Sequence, residues 1–466
     1  AEHLSNIGVH TIEAGFPASS AAEHEIVRAI KGLGLSAQVC GLARSLPADV
    51  DACIDCDVDM VHVFIPTSDV QREYTIKKTR EQVLAATGDI IAYVRDHIGR
   101  CMFSAMDATR TDWDYLMEVY RVAVDAGATI INVPDTVGVI TPTAMKHLIT
   151  RIDREVDCPI DVHCHNDFGL AVANTIAAVE GGASQVQVTV NGIGERAGNA
   201  DLAQTVMILS SIYGVETGIR TTSLVETSRL VARYAGMSVP AIQPVVGENA
   251  FAHESGIHSH GVITRSDTFE PGIMTPEMVG HRRRLKLGKH AGRHAVRQML
   301  AEVHMTPTDA QLDEIILRVK AIAGRGKRVT DADLYEIGES VMQIVSNEKT
   351  LELQDIAIMT GNHVIPTASV RATVDGVEHA FSSIGNGPVD AAVRAILGII
   401  PAPVHLKEFN IEVISGGTDA LGHVTITVED ERGRVFDASA SSDDIILASV
   451  EAVINAINLV CRTQKN

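Results

Sequence analysis

Over residues 1–218, short β-rich runs alternate with longer stretches of helical apolar spacing, and this pattern constrains the fold more than any other feature of the chain. Runs at 9–14 (VHTIEA), 36–41 (SAQVCG), 60–65 (MVHVFI), 100–104 (RCMFS), 129–133 (TIINV), 159–163 (PIDVH) and 185–190 (QVQVTV) read as strands. The segments between them, such as Asp114 to Ala126 (DYLMEVYRVAVDA), place apolar residues on one helical face. One helix per strand implies a parallel sheet, because a parallel return needs a long crossover. Seven strand-helix units are countable, and a closed parallel barrel needs eight. The chain opens on a helix-like AEHLSNIG that leads into a strand. The expectation is therefore an α/β fold, a (β/α)8 TIM barrel whose first strand is absent from this sequence. The rival is a doubly wound open sheet, which needs no missing strand.

Two further regions follow. Residues 219–348 read as helical, with clear segments at Thr222 to Ala235 and Asp309 to Ala323 and an interruption at 324–327 (GRGK). Residues 349–466 contain a tandem repeat. The run 368–374 (ASVRATV) matches 422–428 (GHVTITV) at an offset of 54. A turn, a second strand near Phe381 or Val435, and a helix near Asp390 or Asp444 are expected to follow at the same offset. The organisation expected is a catalytic barrel (1–218), a helical linker subdomain (219–348) and a C-terminal α+β domain of two strand-strand-helix repeats (349–466). The last carries little catalytic chemistry and reads as regulatory.

Composition removes several functions. Lys plus Arg is 39 against 59 Asp plus Glu, a formal charge of −20. So acidic a chain is a poor general binder of nucleic acid. No apolar run reaches the roughly 18 residues of a membrane span, and no signal peptide is visible at the N-terminus. The seven scattered cysteines fit a reducing, cytoplasmic setting. The lone pair Cys53 and Cys56 reads as buried small hydrophobes.

The chemistry-bearing residues gather at strand C-termini, where barrel active sites lie. His163 and His165 flank Cys164, and residues i and i+2 of a strand share a face. Two such imidazoles, with an oxygen donor, suit a divalent ion such as zinc or manganese. The alternative is a pair of hydrogen-bonded histidines. The loop 191–201 (NGIGERAGNAD) brings Glu195 and Asn199 toward the same mouth. It lacks the Gly-Lys-Ser/Thr of a nucleotide P-loop. Arg44, His62, Ser104, Asn132 and Thr136 each end a strand, and together they point to a substrate pocket. His253, His258 and His260 cluster in AHESGIHSHG. Arg282 to Arg284, Lys286, Lys289 and Arg293 form the one dense basic run, a candidate anion contact or a solvated face.

Taken in order, IEAGFP, CGLAR, TSD with KKTREQV, NVPDTVG, HCHNDFG, NGIGERAGNADL, GENAFAHESGIH and LGKHAGR resemble the acyl-CoA Claisen-condensing synthases, the family of 2-isopropylmalate, homocitrate and citramalate synthases. The terminal repeat resembles that family's leucine-type regulatory (LeuA-type dimer) domain. The resemblance implies an acetyl-CoA-dependent acyltransferase that joins acetyl-CoA to a 2-oxo acid and then hydrolyses the thioester. It assigns a divalent metal (Zn, Mn or Mg) to His163, His165 and Asn199, catalytic roles to His258 and Glu195, and oxo-acid contacts to Arg44, His62, Ser104, Asn132 and Thr136. It implies a homodimer in which His258 serves the partner's site. The terminal repeat favours 3-methyl-2-oxobutanoate as substrate and leucine as effector. The rivals are a citramalate synthase using pyruvate, a homocitrate synthase using 2-oxoglutarate, and a catalytically silent effector-binding subunit.

Two departures from the family pattern stand out. The family's first-strand Arg-Asp (or Arg-Glu) pair is not in this sequence, which is expected to be truncated at its N-terminus. Met106 stands where the family commonly has an acidic residue after FSA.

Overall fold

A computed structural model describes residues 1–253, 268, 272–282, 284–285, 292–324, 329–342, 350–400, 404–413, 422–442 and 444–465. His258 and His260 lie outside the described residues, as do Arg283, Lys286, Lys289 and residues 325–327. The chain forms two compact units. One holds residues 1–251 and 270–283; the other holds 252–269 and 284–466.

In the first unit, β1 (Thr11–Gly15), β2 (Gln38–Arg44), β3 (Met60–Pro66), β4 (Cys101–Met106), β5 (Ile130–Asp135), β6 (Ile160–Cys164) and β7 (Gln185–Gln187) make one sheet. All its ladders are parallel, and spatial order follows chain order from β1 to β7. A doubly wound sheet reverses its strand order at a switch point. This sheet has none, so the barrel reading holds over the open-sheet rival. All seven expected strands are present, shifted by a few residues at most.

Alternation along the strands sorts the side chains. Val61, Val63, Ile65, Cys101, Phe103, Ala105, Ile131, Val133, Ile160, Val162 and Cys164 face outward into one buried core shared with the helices. The helix Trp113–Asp125 lays Leu116, Val119, Tyr120 and Ala123 into that core. Its Tyr120 hydroxyl donates to the Asn132 carbonyl at 3.0 Å, tying helix to strand. The residues in between face the barrel axis. At the bottom, Cys40, Met60, Met102 and Ile130 form a separate small apolar cluster.

The opening helix Glu2–Asn6 and the helices Leu202–Met207 and Leu224–Ala235 share another core, built on Ile7, Val206, Leu224 and Phe251. Cys53 and Cys56 are buried and free. Burial pushes the Cys53 thiol up to about 12, so it is an inert apolar group here.

In the second unit, the short β8 (Ala252–His253) and β9 (Arg284–Leu285) pair in parallel. Helices Arg293–Glu302, Asp309–Gly324 and Asp331–Met342 follow. The basic run is thinned by pairing: Arg293 lies against Asp309 at 2.8 Å and also against Asp313.

The terminal repeat is real and larger than expected. β10 (Leu351–Gly361), β11 (Val364–Val374) and β12 (Val377–Ile384) form an antiparallel sheet before the helix Pro388–Ile399. β13 (His405–Val413), β14 (Gly422–Glu429) and β15 (Val435–Ser442) repeat it before Ile445–Lys465. Each unit thus has one more strand in front of the expected two. The offset of 54 holds for β11 and β14 and for the starts of β10 and β13 (351 against 405). It becomes 58 at the starts of β12 and β15 (377 against 435), because β14 runs one residue further than β11 past the matched run and the second turn, 430–434, is three residues longer than Asp375-Gly376. The two helices pack against each other over one core with Val370, Ala372, Val424, Ile426 and Val428.

Candidate active site

Two residues above the apolar plug, β3, β4 and β5 turn polar. His62 is buried on β3, and its Nδ1 lies 2.5 Å from Glu13 Oε2 on β1. Its Nε2 lies 2.6 Å from Ser104 Oγ on β4. Ser104 donates to Asn132 Oδ1 on β5 at 2.7 Å, and Asn132 Nδ2 donates to Asp161 Oδ2 on β6 at 2.6 Å. Gln187 on β7 donates its Nε2 to the same Asp161 oxygen at 2.6 Å, while its Oε1 faces His163 Nδ1 at 2.7 Å. One polar chain therefore crosses six strands, from Glu13 to His163.

The charges along it are set by mutual contact. Burial alone would raise the Glu13 carboxyl, but the His62 imidazole outweighs it and holds Glu13 below its ordinary value. Burial would likewise lower His62, but the Glu13 carboxylate holds its pKa up. The pair is thus ionised, and His62 donates from both ring nitrogens. Water still reaches the Glu13 side chain, which is 40% exposed, and this screens the pair. Burial pushes Asp161 up to about 6, against the hydrogen bond from Asn132.

His163 and His165 stand side by side, with ring centroids 4.7 Å apart. Burial first, then its neighbour His165, lowers His163 to about 4. Burial also lowers His165. Both rings are therefore neutral at neutral pH, the form that ligates metals. His165 Nδ1 faces the Asp135 carbonyl at 3.3 Å, so each ring turns Nδ1 to protein and leaves Nε2 as its ligand position. Asn199 is bridged to His165 across a short antiparallel contact. Its Oδ1 is buried and accepts no hydrogen bond, and a buried acceptor without a partner is costly. Two neutral imidazoles beside an orphaned amide oxygen fit a divalent cation, and a cation would satisfy that oxygen. Among the described residues no cluster of three or more His, Cys, Asp or Glu accompanies them.

The glycines of the 191–201 loop make this approach possible. A Cβ on Gly194 would sit 2.6 Å from Asn199 Nδ2. Gly198 has φ +94 and would press a Cβ to 1.9 Å from the Gly192 carbonyl.

The structure thus draws His62, Ser104 and Asn132 into one chain, and His163, His165 and Asn199 into one cluster. Thr136 follows β5, with its Oγ1 accepting from Asp107 N at 2.9 Å. Its carbonyl accepts from Arg196, which pairs with Asp167 at 2.7 Å. Arg44 is turned to Asp49 by hydrogen bonds of 2.6 and 3.0 Å from its guanidinium. Glu195 is exposed, and its backbone carbonyl accepts from Gly198 N. Met106 offers its carbonyl to both Thr67 N and Thr67 Oγ1 at 3.0 Å. Sequence reasoning missed Glu13, Asp161 and Gln187. Asp161 carried a signal, since it lies two residues before His163 and shares its face.

A sequential parallel sheet with this polar mouth belongs to a recognised class. Residues 1–231 match the HMGL-like family, 245–327 the homocitrate synthase post-HMGL domain-like family, and 328–461 the LeuA allosteric (dimerisation) domain. Within that class the chain belongs to the 2-isopropylmalate synthase family. It is 56% identical to a Methanosarcina acetivorans protein named "Probable 2-isopropylmalate synthase", over 99% of this chain and 90% of that protein. It is 52% identical to the 2-isopropylmalate synthase of Methanocaldococcus jannaschii, over 98% of this chain and 89% of that one. A Methanothermobacter thermautotrophicus protein named "Putative (R)-citramalate synthase CimA" is 45% identical, over 99% of this chain and 93% of that protein.

Proposed function

We propose that this chain condenses acetyl-CoA with 3-methyl-2-oxobutanoate and hydrolyses the thioester, under feedback from leucine bound by its terminal domain. The observation that carries the reading is the greater identity to 2-isopropylmalate synthases, 49 to 56%, than to citramalate synthases, 42 to 45%. The polar mouth described above supports it. The same reading makes the chain a homodimer, with domains at 1–218, 219–348 and 349–466. No described helix is long and apolar enough to cross a membrane.

His163, His165 and Asn199 would hold a divalent metal, which supplies Lewis-acid polarisation of the keto group when bound. His62, with both ring nitrogens engaged by Glu13 and Ser104, would act on the oxo acid by fixing the Ser104 hydroxyl and by its charge, which favours a carboxylate nearby. Ser104, Asn132 and Thr136 would orient that substrate, with Arg44 as a further contact. The methyl group of acetyl-CoA gives up a proton only to a positioned base, a role that falls to His258. Glu195 serves the same reaction centre from its loop.

The test is thiol release from acetyl-CoA with each of 3-methyl-2-oxobutanoate, pyruvate and 2-oxoglutarate, with and without leucine. Preference for the branched acid and inhibition by leucine are expected. Preference for pyruvate would make the chain a citramalate synthase. No turnover with any acid, together with no bound metal, would make it a silent effector-binding subunit.

A further inference from the structure

We infer that Gln187 is a positioning residue that selects the metal-binding tautomer of His163, and that Asp161 sets which end of the Gln187 amide does so. The inference rests on the metal reading of His163 and His165 given above.

An imidazole can ligate only through a nitrogen that carries no proton. His163 turns its Nδ1 to Gln187 at 2.7 Å, so its Nε2 must be the bare one. That requires Nδ1 to carry the hydrogen and its partner to be an acceptor. A side-chain amide has one accepting end and one donating end, and either could face the ring. Presented the other way, the amide nitrogen would force Nδ1 to accept. The ring proton would then sit on Nε2 and block the ligand position.

Asp161 removes this ambiguity. Its carboxylate can only accept, and it draws the donating end of Gln187 to Oδ2 at 2.6 Å. Oε1 is left toward His163. The same oxygen takes Asn132 Nδ2 at 2.6 Å, so one carboxylate orients two amides. Gln187 Nε2 also contacts Met102 Sδ at 3.4 Å, a second acceptor on the donating side. His165 needs no such device, because a backbone carbonyl faces its Nδ1 and cannot be turned over. Hydrogen-bond partners of ligating histidines orient the ring and raise its basicity.

The experiment compares the wild-type protein with Gln187→Met, which keeps the volume and removes both polar ends, and with Gln187→Glu made in an Asp161→Asn background throughout, which keeps an acceptor toward His163 and moves the donor to position 161 so that two carboxylates do not meet. Affinity for Zn²⁺ or Mn²⁺ is measured by calorimetry on metal-free protein. The His163 tautomer is read by nitrogen NMR of labelled histidine, with the signal assigned by its loss in His163→Gln. Thermal unfolding of each metal-free variant checks that the fold is intact. The expected result is the Nδ1–H tautomer in the wild type and in Gln187→Glu. Gln187→Met should lose that single tautomer and bind metal about 10- to 100-fold more weakly. Gln187→Glu should stay near wild type.

A Gln187→Met protein with wild-type affinity and tautomer would overturn the inference. So would equal weakening in both variants, which marks a packing role. If Gln187→Met fails to fold, Gln187→Glu decides: loss of the Nδ1–H tautomer there overturns the inference, and its retention supports it. Wild-type metal binding by His163→Gln would instead bring down the metal reading itself.

Discussion

Two levels of the barrel interior, built on the same strands, differ completely. Cys40, Met60, Met102 and Ile130 close the bottom with apolar side chains. Two residues further along β3, β4 and β5 stand His62, Ser104 and Asn132, joined to Glu13 and Asp161 by hydrogen bonds of 2.5 to 2.7 Å. The lower level loses surface to water and contributes stability. The upper level buries polar groups that stabilise only while each has its partner. Stability and chemistry are thus separated by one step of the strand period. His62, Ser104 and Asn132 stand within their strands and not at the ends where the sequence reading put them, because the inward step above the plug falls before the strands finish; His163 and Thr136 lie nearer the C-terminal rim.

Substitutions at the two levels test that separation. The largest effect is expected from His163→Ala. Losing a ligand to the proposed metal should cost several kcal/mol of transition-state stabilisation, or about 10³-fold or more in turnover. Bound metal, measured by elemental analysis, should fall with it, and added metal should no longer raise the unfolding temperature. Met60→Ala at the bottom should do the reverse. It should destabilise the barrel by about 2–5 kcal/mol, read as an earlier denaturant midpoint, with KM for the oxo acid unchanged. Comparable loss of activity from both would erase the distinction.

Ser104→Ala interrupts the polar chain between His62 and Asn132. The expected outcome is a fall of about tenfold in kcat/KM for the oxo acid, the equivalent of one net hydrogen bond. The smallest effect concerns pH. Glu13 is held below its ordinary 4.5 and His62 above its ordinary 6.5. The carboxylate's contribution is present above 4.5 and is lost as pH falls through its lowered value. The imidazole's contribution is full below 6.5 and is lost as pH rises through its raised value. The melting-temperature gap between wild type and Glu13→Gln should therefore be widest between pH 4.5 and 6.5 and narrow above it. A gap independent of pH would show that the pair is not ionised.

Much of this was legible before the fold. Strand positions followed from β-rich runs, and His163 and His165 share a face because the side-chain period of a strand is two. The terminal repeat was visible on β11 and β14, where the offset is 54. It blurred where the second turn is longer, because a lengthened turn shifts every later residue without changing the pairing. β10 and β13 were missed. β10 (LELQDIAIMTG) is half exposed, so its apolar positions alternate weakly.

The sequence by itself determined which residues lie inward, because alternation and the order of strands are local properties of the chain. It could not determine the partners of those residues. Glu13 meets His62 across 49 positions, and Gln187 meets His163 across 24. Neither spacing carries a signal: Glu13 stands in the IEAGFP motif and Gln187 in the strand run QVQVTV, but nothing in either run names the partner. Only the closing of neighbouring strands into one interior brought the carboxylates and amides within hydrogen-bond distance. With that came the charge state of His62 and the presented face of His163. Ionisation and tautomer are decided by contact, and contact between distant residues is a tertiary fact.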